Sequence, residues 1–116
     1  MKRFSHSAVG VQSGQQVLFS AFEDGGPMWS GEGPRHSVTR VMFADAFLDV
    51  PIVQVSIQMW DIRHGANHRV DISAENITAE GFDIVFRTWG DTRIARVRAG
   101  WLAIGATLHE DDFDLR

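Results

Sequence analysis

The strongest constraint in this chain is a period of two. Val53, Val55 and Ile57 alternate with Gln54, Ser56 and Gln58. Val70, Ile72 and Ala74 alternate with Arg69, Asp71 and Ser73, and Phe82, Ile84 and Phe86 with Asp83, Val85 and Arg87. Successive side chains of a strand point to opposite faces, so this pattern predicts half-buried strands. Arg93 to Ile104 is a longer run with Gly100 inside it, and Val38–Phe43 and Val17–Phe22 have the same character less cleanly. Turn residues divide the runs: Gly25-Gly26-Pro27, the glycine-rich stretch Ser30 to Pro34, Gly65-Ala66-Asn67, Gly81 and Gly90-Asp91. Pro51 opens a run, where a missing amide hydrogen does no harm. Gly90-Asp91 between Trp89 and Thr92 suits a tight hairpin. No segment sustains a helical period; at most a short helical turn follows Ser73 to Ile77, ended by Ala79-Glu80-Gly81. The expectation is an all-β fold of roughly six short-connected strands, an antiparallel sandwich or small barrel.

A chain of 116 residues supports one core, because two would each be too small to stand alone. At this size roughly two-thirds of the unfolded surface is buried, so no staple is required. With no cysteine, disulfides, thiolate zinc sites and thiol nucleophiles are ruled out. The net charge of −4 leaves no basic footprint for nucleic acid. It is also uneven. Glu110, Asp111, Asp112 and Asp114 face only Arg116 at the end, which reads as a solvated tail, with a docking arm as the sharper alternative. The domain is therefore expected over residues 1–105, with a flexible start, and an acidic tail over 106–116. Met1 to Gly14 lacks the apolar stretch of a secretory signal. No apolar run is long enough to cross a bilayer, so no membrane insertion is expected.

The chemistry-bearing residues form few constellations. His64 and His68 stand four residues apart near Asp61, but they flank a loop, where helical spacing loses its meaning, so chance adjacency is the better reading. There is no nucleophile elbow, GxGxxG or P-loop. Paired carboxylates depend on three-dimensional separation, yet short loops leave little room for a catalytic cleft. The sequon Asn76-Ile77-Thr78 carries little weight without an export signal. Tryptophan is more informative. Trp29, Trp60 and Trp89 fall at strand ends or loops, whereas Trp101 lies inside a strand and reads as core. A tryptophan plate flanked by hydrogen-bonding groups suits the C–H face of a sugar, and Trp89 sits among Thr88, Gly90, Asp91 and Thr92. For any one tryptophan, ordinary packing is the competing explanation.

An ordered set of segments then becomes recognisable: Val11-Gln12-Ser13-Gly14, Val41-Met42-Phe43, Val53 to Ile57, Asn67-His68-Arg69-Val70, Gly81-Phe82 through Thr88-Trp89, and Trp101 to Ile104. Together they resemble the H-type lectin family, most strongly from Val38 to Gly105. The resemblance implies a compact six-stranded antiparallel β-sandwich, homotrimers that sometimes pair into hexamers, and glycan partners. These would be galactose-type sugars, especially N-acetylgalactosamine, held between neighbouring subunits without catalysis, metal or cofactor. By the same resemblance Arg69 and Trp89 contact the sugar with Gly90 and Asp91 beside them. Gly31 gives close backbone approach and Glu32 an acceptor, both from across the interface. Two departures stand out. Gly90 replaces a frequent histidine, and Ala95 replaces an aromatic residue, so both would remove surface that touches sugar. The missing cysteines point to a microbial source. These departures keep a rival in view: an assembly module of a phage-like fibre, spike or surface complex that retains the fold without sugar binding. A small hydrolase is a more distant rival. Arg96 and Arg98, on alternate positions of one strand face, read as solvated or as ion-pair partners of a neighbouring subunit.

Overall fold

The computed structural model describes residues 1–21 and 25–109. Six strands form: β1 (Ala8–Ser20), β2 (Arg35–Met42), β3 (Ile52–Ile62), β4 (Val70–Glu75), β5 (Gly81–Thr88) and β6 (Ile94–Thr107), with one helical turn, α1 (Pro27–Ser30), after β1. They build two three-stranded antiparallel sheets, ordered β1-β6-β3 and β2-β5-β4. Of the sandwich and small barrel that the alternation left open, the fold is the six-stranded sandwich that the family resemblance implied.

The alternating apolar residues meet between the sheets. Phe82 and Ile84 of β5 pack with Val41, Ala99 and Ala103, and with Phe43 and Phe47 from the loop after β2. A second cluster joins Phe86, Ile94, Val97, Met28 and Ala21. Trp101 is half-buried and packs against the core, as its place in a strand suggested: its indole meets Phe82 edge-on with centroids 5.5 Å apart and lies 5.8 Å from Phe43. Gly14 makes room for it, since a Cβ there would fall 2.8 Å from the indole.

β1 begins at Ala8 and pairs along β6 from Ala8↔Thr107 to Ser20↔Arg96. The sequence pattern places a strand only from Val17. The inward positions of the first half are Ala8, Gly10, Gln12 and Gly14, whereas exposed Val9 and Val11 point out. The usual apolar-in pattern is reversed, so the alternation carries no strand signal there. The start of the chain is thus paired from Ala8 onward, and β6 runs two residues past the expected domain end at 105.

The two sheets exchange strands at almost every connection; only β4 and β5 are consecutive within one sheet. Gly90-Asp91 is therefore not a hairpin within a sheet. It carries the chain from β5 across to β6, with Gly90 at φ +69°, a left-handed conformation that favours glycine. Nor does a helical turn follow Ser73 to Ile77 and end at Ala79-Glu80-Gly81. β4 runs through Glu75, and Asn76, at φ +50°, begins the turn to β5. Within that turn the Asn76 side chain donates to Asp83 (2.8 Å). Gly25-Gly26-Pro27 does introduce a short helix, where the fixed φ of Pro27 suits the first helical position. Residues 110–116, which hold the acidic run and the suggested docking arm, lie outside the described residues.

Candidate functional site

The chain crossings bring three loops to one end of the sandwich: residues 30–34 before β2, 63–69 before β4, and 89–93 between β5 and β6. Two buried threonines tie the last two together. The Thr88 hydroxyl donates to the Arg69 carbonyl (2.5 Å), and the Thr92 hydroxyl donates to the Asn67 carbonyl while accepting from the Arg69 backbone N–H (2.9 Å). Thr92 is 0% exposed. Both hydroxyls, expected to flank the tryptophan as groups for a sugar, are instead spent on backbone. A buried amide or carbonyl without a partner is costly, and these threonines supply the partners.

Outside this clamp, Asp91 gathers the polar groups. It accepts from Arg69 Nη1 at 2.8 Å and from the Asn67 side-chain amide at 3.2 and 3.3 Å. The Asn67 hydrogen bonds, with help from the Arg69 charge, hold the Asp91 carboxyl below its ordinary range. The pair leaves Arg69 39% and Asp91 54% exposed, so the guanidinium is aimed without being hidden. Gly90 stands against it: a Cβ there would meet Arg69 Nη1 at 3.2 Å. A histidine at this turn would meet both strained backbone and the arginine. Trp89 precedes Gly90 and remains 43% exposed.

The early loop reaches the same turn through Gly33, whose N–H donates to the Gly90 carbonyl (2.9 Å). Two arginines, neither of them singled out by the sequence, secure it. Arg35 donates to the carbonyls of Gly33 (2.9 Å), Thr92 (2.7 Å) and Gly90 (3.3 Å), and to Pro27 and Met28 at 3.2 Å. Burial, then the charge of Arg93 nearby, lowers its pKa. Arg93 donates to the carbonyls of Trp29 (3.2 Å) and Ser30 (3.0 Å), and to Glu32 Oε1 at 2.9 Å. Gly31 has a local role: a Cβ would fall 2.6 Å from the Pro27 carbonyl oxygen, which accepts the Gly31 N–H. Arg69, Trp89, Gly90 and Asp91 thus stand together, and Gly31 and Glu32 lie in the loop joined to them through Gly33. The signal that could have flagged Arg35 and Arg93 was their position beside glycine-rich turns full of carbonyls.

Other sequence features fall elsewhere. Ala95 is buried, 5% exposed, so its small size serves packing within the chain and is not a loss of exposed surface. Trp60 is exposed with its ring edge-on to His68, centroids 6.0 Å apart. Among the described residues no three His, Asp or Glu side chains cluster as metal ligands, and no helix is long and apolar enough to cross a membrane.

The sequence profile of the H-type lectin domain matches residues 38–104, more than half of the chain. The chain belongs to the H-type lectin family. It is 54% identical over 109 residues to the protein of Fuscovulum blasticum named ATP synthase subunits region ORF 7, covering 94% of this chain and 95% of that one. It is also 36% identical over 76 residues to discoidin-2 of Dictyostelium discoideum, a match that covers 65% of this chain but only 30% of discoidin-2. The solved structure of recombinant discoidin II from the same organism superposes with a TM-score of 0.75 at 30% identity, over 92% of this chain and 41% of discoidin II. This H-type lectin domain therefore corresponds to less than half of the discoidin chain and to nearly all of the Fuscovulum blasticum relative.

Proposed function

We propose that this protein binds galactose-type sugars, with N-acetylgalactosamine foremost, as a multivalent homo-oligomer and without catalysing a reaction. The observation that carries this reading is Trp89, an exposed aromatic plate beside an arginine held in place by Asp91. A pyranose stacks its C–H face on the indole while Arg69 donates to its hydroxyls. Asp91 keeps Arg69 pointed outward and offers acceptors of its own. Gly90 keeps the approach to Arg69 open. Glu32, from a neighbouring subunit's loop, accepts from a hydroxyl through Oε2, because Arg93 occupies Oε1; Gly31 lets that loop hold its tight path.

Such a site is small and open, so single-site affinity is weak and useful binding comes from several sites acting on one glycan surface. Support for a homotrimer, and for hexamers made by pairing trimers, comes from the outer face of the β1-β6-β3 sheet, where Val9, Val11, Ile52 and Leu102 are exposed. Isolated domains rarely leave such a band uncovered.

A glycan array probed with the assembled protein, its mass set by light scattering, tests the proposal. The expected result is a trimer or hexamer that retains galactose-type glycans and loses them with Arg69→Ala. An intact oligomer that binds no saccharide would overturn the lectin reading in favour of the assembly module.

A further inference from the structure

A hollow of about 280 Å³ opens beside Trp89 on the flank away from Arg69, lined by Pro34, Arg35, His36, Arg87, Thr88 and Trp89. The strand order β2-β5-β4 puts Trp89 at the end of the central strand, with Pro34 to His36 on one side and Arg69 on the other. Small-molecule pockets begin at roughly 300 Å³, so the hollow has room for about one sugar ring.

Its chemistry is one-sided. His36 and Arg87 are directly opposite each other in the β2–β5 register. The contacts of Arg87 with Glu75 (2.8 Å), Asp71 (3.7 Å) and Ser73 (3.3 Å) all go through Nη1. Among the described residues its Nη2 and Nε have no protein acceptor, and the His36 side chain has no partner. Arg35 at the back is occupied by five carbonyls and adds charge. No aspartate or glutamate lines the hollow. An apolar wall of Trp89 and Pro34 under donors that lack acceptors suits a ring carrying an anionic group.

We infer that this hollow is a second saccharide subsite that takes a carboxylate-bearing sugar unit, a uronic acid, linked to the galactose-type residue bound at Arg69. The inference rests on the proposed lectin reading and deepens it, because the recognised ligand becomes an acidic disaccharide and not a single neutral sugar. Trp89 is shared: it packs the first ring and walls the second. The Arg87 N–H groups left free by its anchor, together with His36, receive the carboxylate.

The test is titration calorimetry on the intact oligomer with three probes: free N-acetylgalactosamine, and N-acetylgalactosamine carrying at O3 either a β-glucosyl or a β-glucuronyl unit. The two disaccharides differ only in a carboxylate at C6 of the added ring. The glucuronyl form is expected to bind about tenfold tighter than its twin, the scale of a charge-assisted hydrogen bond. Separately, His36→Gln and Arg87→Gln should each lower the glucuronyl affinity toward that of the glucosyl twin. Equal binding of the twins, weaker binding of both than of the free sugar, or an advantage that survives both substitutions would overturn the subsite. Failure of all three probes to bind an intact oligomer would instead strike the lectin reading itself, and the subsite with it.

Discussion

The outer faces of the two sheets are built on the same pleat and finished in opposite ways. On β2-β5-β4 most of the charged side chains pair with one another. Arg87 bridges Glu75 and Asp71, Arg40 pairs with Asp83 at 3.4 Å, and Ser73 donates to Glu75 at 2.7 Å. On β1-β6-β3 the described ion pair is Arg96–Asp61 at 3.2 Å. Apart from Arg98, the rest is apolar or neutral: Val11 is 61% and Leu102 38% exposed, and a trough of about 470 Å³ over Gly100 is lined in part by Ser13, Gln15, Gln54, Ser56 and Gln58. Arg98, alternating with core Val97 and Ala99, has a buried Nε–H with no acceptor. The β2-β5-β4 face pairs most of its charges within itself, although Val38 and Met42 are exposed there. The other exposes apolar area and an unmet donor, which is the surface a second copy of the chain would complete.

The sharpest way to break this comparison is one charge on each face. Leu102→Arg should convert the oligomer to monomers and reduce binding to a multivalent glycan surface by roughly a hundredfold or more, the usual scale of lost avidity. Val38→Arg, at a still more exposed position on the other face, should change neither. Equal behaviour of the two variants in light scattering would show that the faces do not differ in role.

Next in size is Arg69→Ala. Sugar affinity should fall by at least about tenfold, since a charged donor to hydroxyls is lost, while the melting temperature barely moves because the pair is exposed. A large drop in melting temperature, or a split oligomer, would make Arg69 structural.

Thr92→Val should act the other way round. It keeps the shape but strips the part-buried Arg69 N–H and Asn67 carbonyl of their partner, at about 1 kcal/mol, read from urea unfolding. If stability is unchanged, the buried clamp is not what holds the Arg69 loop.

The smallest effect concerns pH. The folded-state pKa values of Asp91 and Glu75 are lowered, chiefly by hydrogen bonds from Asn67 and Arg87 respectively. A lowered folded value stabilises above the unfolded pKa, about 4 for carboxylates, and that stabilisation is lost as pH falls through the folded value. Melting temperature should therefore hold from neutrality to about pH 5 and then decline. Glu75→Gln should make that decline slightly shallower and leave the neutral value nearly unchanged, because both groups are exposed. A steep loss between about pH 7 and 5 would point to a group other than a carboxylate.

Legibility in the sequence followed burial asymmetry. Val53 to Ile57, Val70 to Ala74 and Phe82 to Phe86 could be read because their inward residues are apolar. The first half of β1 could not, because small and polar Gly10, Gln12 and Gly14 face inward, Gly14 under Trp101, while valines face out. Trp89 and Arg69 were reached through an ordered family resemblance, and the tertiary structure brings them together with Gly90 and Asp91. Arg35 and Arg93 left only a weak trace in the sequence, their place beside glycine-rich turns. Their acceptors are mostly backbone carbonyls, in segments as far away as Gly90 and Thr92 for Arg35 and Trp29 and Ser30 for Arg93, and a carbonyl is the same at every residue.

What the sequence by itself determined is the all-β character and the run of strands, because a period of two in side-chain polarity acts through neighbours along the chain and needs no long-range information; the sandwich was implied by the family resemblance. What only the tertiary structure decided is the working end of the molecule. There the chain crosses from sheet to sheet, so that Gly90 is wedged between Arg69 and the loop bearing Glu32, and Thr88 and Thr92 turn inward to close backbone hydrogen bonds. Those roles arise from distance in space, and hydrogen-bonding groups within about 3 Å of one another carry no mark of their future contact when they lie dozens of residues apart in the chain.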